Sequence, residues 1–373
     1  MKTTNRKFLA GILLVACGVY VFSLPAAAAT NSNLSGTYFA GEMRAGTEFV
    51  TSLIQYDCDG NGALTRQILA QSAAGAAGGA DTYSVATDGM MSTTGMKGVV
   101  SPDGAYFVIN STATSNYPYM QFAVKQSSGM SNKKMTGRYA MMIYTLSDPA
   151  GLAGMYEAVC DGDGNMTATL IAPGAAQTSL PDAISGAYSV SGNGRMTFTQ
   201  TGLTVPDQGA VSSDGEIFVL VGVGASQGAQ PYFSVGIRQG SGMALSDFNG
   251  SYYYNEYLAE SYGTEFTGYV TNAGADGAGK LSIKELYDTC GCPLVSRSLN
   301  FTINPDGRVV IDNNRTGALA SGKSIFVLIG YDYSNAAFLG IGILKSTDEP
   351  DDGDPDGGGG GGGGCFVKTA GEQ

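Results

Sequence analysis

The sequence contains no histidine and no tryptophan, so any chemistry it performs must rest on carboxylates, thiols, tyrosine or lysine. Ser-His-Asp and Cys-His nucleophile arrangements are thereby excluded, as are imidazole metal sites, because each depends on a ring nitrogen active near neutrality. Two acidic runs, Asp57-x-Asp59-x-Asn61 and Asp161-x-Asp163-x-Asn165, have the spacing that opens a calcium loop. The spacing fails at its twelfth position, where such a loop needs a bidentate Glu and this chain has Ile68 and Ala172. The same residues suit hairpin turns that carry a surface acid, since Asp, Asn and Gly tolerate the backbone of tight turns. Hairpins are therefore the first expectation and a calcium site of other geometry the second.

Glu48 and Glu265 occupy matching Gly-Thr-Glu-Phe sequences. Two acids held about 5 to 10 Å apart across a cleft would allow glycoside hydrolysis. The middle of the chain has no counterpart, so solvent-facing strand residues are the simpler reading, and a carboxylate hydrolase ranks last among the functions considered. No cofactor is called for by any motif.

The cysteines divide by position. Cys58 and Cys160 stand at equivalent places beside the two acidic runs, whereas Cys290-Gly291-Cys292-Pro293 is a local feature of the last third. An exported chain would tend to oxidise such thiols, which makes Cys290, Cys292, Cys58 and Cys160 disulfide candidates. A metal or redox role for a lone Cys-x-Cys is weaker, with no His or further Cys beside it. Cys17 and Cys365, near the two termini, are candidates for lipidation or processing.

What positions these residues is a threefold internal repeat, and the anchors recur in one order. Each copy opens on Gly-x-Tyr: Gly36-Thr37-Tyr38, Gly137-Arg138-Tyr139 and Gly250-Ser251-Tyr252. The acidic turn follows, with Asp276 as its third example. Next come Tyr83-Ser84-Val85, Tyr188-Ser189-Val190 and Phe301-Thr302-Ile303, each running into an Asx-Gly turn at Asp88, Asn193 or Asp306. The fourth anchor aligns Gly98-Val99-Val100 with Gly209-Ala210-Val211 and Gly317-Ala318-Leu319, each leading to a Phe-Val strand. Boundaries fall at 30–131, 132–245 and 246–346.

Abundant Gly, Ser, Thr and Tyr with few charges predict an all-β chain. A unit of roughly 100 residues holds about eight strands, the number that closes a small barrel without free edges. The expectation is three tandem antiparallel units of up-and-down barrel type, with a sandwich per copy or one six-bladed propeller as alternatives. The opening Gly-x-Tyr strand resembles the start of lipocalin and avidin-like barrels, which implies that a small apolar ligand could be carried inside. Methionines such as Met90, Met91, Met141 and Met142 are read as core filling, and the 21 tyrosines as strand residues with one wet edge.

The two ends have their own character. Lys2, Arg6 and Lys7 precede an apolar run to Leu24, then Pro25 and Ala26 to Ala29, which reads as a signal peptide over 1–29. Within it, Leu14-Val15-Ala16-Cys17 resembles the lipobox of bacterial lipoproteins, and an uncleaved anchor is the third option. Residues 347–373 are acidic and then glycine-rich, a composition predicted to stay disordered. The run Gly357 to Gly364 followed by Cys365-Phe366-Val367-Lys368-Thr369-Ala370 resembles the Cys-Phe-Ile-Ala-Thr-Ala tails of exported bacterial proteins, which implies sorting or anchoring through Cys365. Lys368 and the absence of a following apolar segment depart from that pattern.

The formal net charge is -12, and phosphate binding needs clustered cations, so nucleic acid is not an expected partner. The function expected from the sequence is an exported, non-enzymatic β-repeat protein of periplasm, cell surface or medium, acting as a structural or binding array. Its partners, on the envelope or among small apolar ligands, are not specified by any residue.

Overall fold

The computed structural model describes residues 29–44, 49–73, 78–111, 118–147, 150–173, 180–224, 231–259, 266–288, 295–311, 315–331 and 336–345. Four of the six cysteines, Cys17, Cys290, Cys292 and Cys365, lie outside these residues, as do Glu48, Glu265, the leader and the glycine-rich tail.

Twenty-four strands form three closed eight-stranded antiparallel barrels, each with its strands in up-and-down order. The first barrel contains β1 (Ser35–Arg44), β2 (Val50–Asp59), β3 (Ala63–Gln71), β4 (Gly79–Val85), β5 (Met90–Thr93), β6 (Met96–Val100), β7 (Tyr106–Ser111) and β8 (Tyr119–Lys125). The second contains β9 (Thr136–Ser147), β10 (Ala150–Asp161), β11 (Asn165–Pro173), β12 (Ala183–Val190), β13 (Arg195–Gln200), β14 (Asp207–Val211), β15 (Ile217–Val221) and β16 (Tyr232–Arg238). The third contains β17 (Asn249–Ala259), β18 (Phe266–Asp276), β19 (Lys280–Asp288), β20 (Ser296–Ile303), β21 (Arg308–Ile311), β22 (Arg315–Leu319), β23 (Ile325–Tyr331) and β24 (Ala337–Leu344). Closure between β1 and β8, β9 and β16, and β17 and β24 rules out both the sandwich and the propeller.

The repeat anchors are the parts that close each barrel. Tyr38, Tyr139 and Tyr252 point inward, and their hydroxyls donate to the carbonyls of Gly104, Gly215 and Lys323 at 2.7, 2.7 and 3.0 Å. In the first two copies the later tyrosine repeats the device, Tyr83 donating to the Leu34 carbonyl and Tyr188 to that of Met135. Phe301 replaces it in the third. At the fourth anchor, a Cβ on Gly98, Gly209 or Gly317 would lie 1.9, 2.1 or 1.9 Å from a carbonyl oxygen of the next strand. Only glycine lets the two backbones approach so closely, which is why it recurs there.

Strand alternation divides the apolar residues into two kinds of core. Tyr38, Ala40, Tyr56 and Phe107 fill the first barrel, Tyr139, Met141, Met196 and Phe218 the second, and Tyr252, Tyr254, Phe301 and Phe326 the third. A fourth core lies between the barrels and draws on all three: Phe39, Met43 and Val108, then Met142, Tyr144 and Val219, then Tyr257, Val327 and Ile341.

The barrels are arranged in a ring. Strand β1 lies on β14, β15 and β16; β9 and β10 lie on β22 to β24; and β17 and β18 lie on β6 and β7. The opening strands of each barrel therefore dock on the closing strands of the next, a head-to-tail contact that returns to its start after three copies. At the same position on the three opening strands stand Met43, Tyr144 and Tyr257; Tyr144 and Tyr257 meet edge to face, with ring centroids 5.8 Å apart.

Gly41 shows how tightly one seam is closed. A Cβ there would come within 2.5 Å of the Val219 side chain and 2.8 Å of Phe233, so β1 seats on the second barrel only because this residue has no side chain. Its counterparts on β9 and β17 are Met142 and Asn255.

Candidate functional site

The acidic turns join β2 to β3, β10 to β11 and β18 to β19, and their first Asp is committed to the turn itself. Asp59 Oδ1 accepts from the backbone N–H of Asn61, Gly62 and Ala63; Asp161 Oδ1 accepts from those of Asp163, Gly164 and Asn165. These bonds, with the Asn165 side-chain amide on Asp161 first among them, hold the Asp161 carboxyl down to about 2. Asp59 and Asp276 are lowered too, chiefly by the backbone N–H of Ala63 and Lys280. Asp57 instead accepts from Thr37 and Gln55 on the outer wall. Among the described residues no group of three or more Cys, Asp or Glu could hold a metal ion.

Cys58 and Cys160 are corrected from disulfide candidates to free, buried thiols. Each points into its own barrel, Cys58 beside Tyr38 and Leu64, Cys160 beside Tyr139 and Met166, so barrel walls separate them. Burial, reinforced by Asp57 and Asp59 for the first and Asp161 for the second, pushes both thiols up to about 12.

The far end of each barrel, away from the acidic turn, holds polar groups that sequence reasoning missed. In the first, Glu42 is fully buried: Gln121 donates to it at 2.5 Å, Arg44 pairs with it at 3.2 Å, and Tyr56 donates to Gln121 at 2.6 Å. Above this network a 360 Å³ cavity is lined by Tyr56, Arg66, Asp81, Thr94 and Tyr119, among others. In the third barrel Glu256 takes the place of Glu42; Tyr254 donates to it at 2.8 Å and Arg297 pairs with it at 3.4 Å. The second barrel has Ile143 there and a different polar pair, Tyr232 donating to Asp207 at 2.6 Å. Burial raises the Asp207 carboxyl to about 6, against the lowering effect of that bond.

A signal for Glu42 and Glu256 was present in the sequence, since both stand six residues after the glycine of Gly-x-Tyr. Their chemistry is that of held ions rather than of reactive acids. Each carboxylate faces a guanidinium inside a barrel, where an unpaired charge would be strongly disfavoured. Tyr, Phe and Met side chains fill the interior below them, and Met91 and Met141 take the expected inward places. Met142 fills the core between barrels, with Met90 packed against it, so all four methionines are core residues as expected.

No protein-family model matches the chain. Nor does any curated protein. Among solved structures, a double mutant of transferrin-binding protein B from Haemophilus parasuis gives a TM-score of 0.29 at 9% identity, over 83% of this chain and 76% of that one. The isotype 1 transferrin-binding protein B of serogroup B Neisseria meningitidis gives 0.28 at 7% identity, over 79% and 66%. A protein of unknown function from Nostoc punctiforme gives 0.22 at 9%, over 84% and 96%. Likeness at this level carries no statement about what the present chain binds. The class defined by its own geometry is a protein of three closed β-barrels joined head to tail around a shared apolar core.

Proposed function

We propose that the chain is an exported, non-enzymatic body of the cell envelope, in which the three-barrel ring acts as a compact platform for binding or structural contacts. The observation that carries the reading is how the barrels use their surfaces. Tyrosine, phenylalanine and methionine fill the interiors except at the far end of the first barrel, and one side of each outer wall holds the neighbouring barrels. What is left for function is the outward wall and the turns. The 360 Å³ cavity of the first barrel is lined by Arg66, Asp81 and Thr94 beside its apolar groups, which suits the lipocalin-like carrier of small apolar ligands poorly.

Export is supported by the leader, with Lys2, Arg6 and Lys7 ahead of an apolar run and Ala26 to Ala29 behind it. The charged groups inside the barrels support a non-enzymatic role, because Glu42 and Glu256 are each neutralised by arginine. Intact mass and cell fractionation of the protein from its host test the reading together. A chain beginning near Thr30, or at a lipid-modified Cys17, in an envelope or medium fraction is the expected result. An unprocessed chain in the cytoplasm would overturn it.

A further inference from the structure

The outer wall of the third barrel carries a trough lined by serines and lysines. It has a volume of 560 Å³, and one row of residues crosses it from strand to strand: Lys345, Ser251, Gly274, Ser282 and Ser298. Backbone pairing fixes this order, with Lys345 N–H donating to the Ser251 carbonyl and then Ser251 opposite Gly274, Gly274 opposite Ser282 and Ser282 opposite Ser298. A second row places Asn272, Lys284 and Ser296 alongside. At strand spacing the first row spans about 19 Å.

One strand residue marks the trough as a place where something approaches. Gly274 has ordinary strand backbone, and a Cβ on it would meet nothing within 4 Å, so neither conformation nor packing requires glycine there. Glycine inside a strand weakens it, and close approach of a ligand is one established reason for its presence. The equivalent of Gly274 is Asp57 in the first barrel and Val159 in the second.

The geometry points to a binding site for an extended anionic oligosaccharide, its hydroxyls on the serine ladder and Asn272, its acid groups at Lys284 and Lys345. In a chain of net charge -12 the residues lining this trough bring two lysines and no carboxylate, while Arg297 turns inward to Glu256. Lys345 is held in place over the Tyr253 ring at 4.6 Å. Repeating hydroxyl donors at regular spacing match a polymer of repeating units, and charge complementarity selects an acidic one over a neutral one. The inference deepens the platform reading by naming a ligand class, and rests on it for the compartment alone.

The test is calorimetric titration of the purified mature chain with tetragalacturonate and with cellotetraose. The acidic tetramer is expected to bind at least about tenfold more tightly, with affinity falling as salt rises. Gly274→Val places in this strand the residue the second barrel already carries; it should fold normally and lose binding, and Lys284→Gln with Lys345→Gln should weaken it about tenfold or more. Equal affinity for the two tetramers, no binding of either, or unchanged binding by Gly274→Val would overturn the assignment. So would retention on phosphatidylglycerol vesicles that tetragalacturonate cannot displace. None of these outcomes bears on the mass and fractionation result, so the two readings fail separately.

Discussion

The hydroxyl of Tyr38 donates to the carbonyl of Gly104, fastening the strand that opens the first barrel to the turn before its seventh strand. Tyr139 and Gly215 repeat the bond in the second barrel. Two sequence anchors lying 66 residues apart in the first copy are thus halves of one contact. Tyr38→Phe keeps the ring and leaves a buried carbonyl without its donor, a loss of about 1 to 3 kcal/mol that chemical denaturation would read.

The seam between the first and second barrels depends on an absent side chain. Gly41→Leu must displace Val219 and Phe233, and destabilisation of about 1 to 3 kcal/mol is expected, as for other overpacked cores. Equilibrium unfolding of this variant beside Gly274→Val, where there is open space, separates a seam effect from a general cost of replacing strand glycine.

Asp207 gives the stability a pH dependence of definite sign. Its folded carboxyl titrates at about 6, above its ordinary 3.8, because burial disfavours the anion. The stabilisation from holding this proton is full below pH 3.8 and is lost as pH rises through 6. Asp207→Asn keeps an acceptor for Tyr232 without the charge. It should stabilise the protein at pH 8, by up to about 3 kcal/mol, and have little effect at pH 3.5 in denaturation curves taken at both values.

Cys58 and Cys160 should resist alkylation in the folded protein, since thiolate is the reactive form and burial suppresses it in both. Iodoacetamide at pH 8 followed by peptide mass analysis should find both unmodified under native conditions and both modified in denaturant. Labelling of either in the native chain would contradict their placement inside the barrels.

The barrels were legible in the sequence because each anchor has one local cause. Gly-x-Tyr marks the opening strand, the Asx-Gly pairs mark turns, and the spacing of four anchors counts the strands. The ring was not legible, because it depends on which outward residues meet across copies. A trace of it exists: Ile217 to Val221 and Ile325 to Ile329 are apolar on both faces, as strands buried on both sides must be. Read within one copy, such runs signify only a buried strand. Glu42 and Glu256 were overlooked for a related reason. Their significance lies in arginines from other positions, Arg44 in one barrel and Arg297 in the other, that no common spacing connects. The disulfide reading of Cys58 and Cys160 failed because alternation turns both side chains inward, while the acids beside them face out.

The seam that closes the ring, between the third barrel and the first, is held by polar contacts as well as by the shared core. Asn110 donates to the carbonyls of Glu256 and Tyr269 at 3.1 and 2.9 Å, and Tyr253 donates to Asp88. No linker spans it, so it is where a string of independent barrels and a closed ring differ. Small-angle X-ray scattering of residues 30–346 distinguishes them directly. The ring predicts a radius of gyration of about 20 Å, that of a compact chain of this length. A clearly larger radius, with the scattering of three beads in a line, would contradict it.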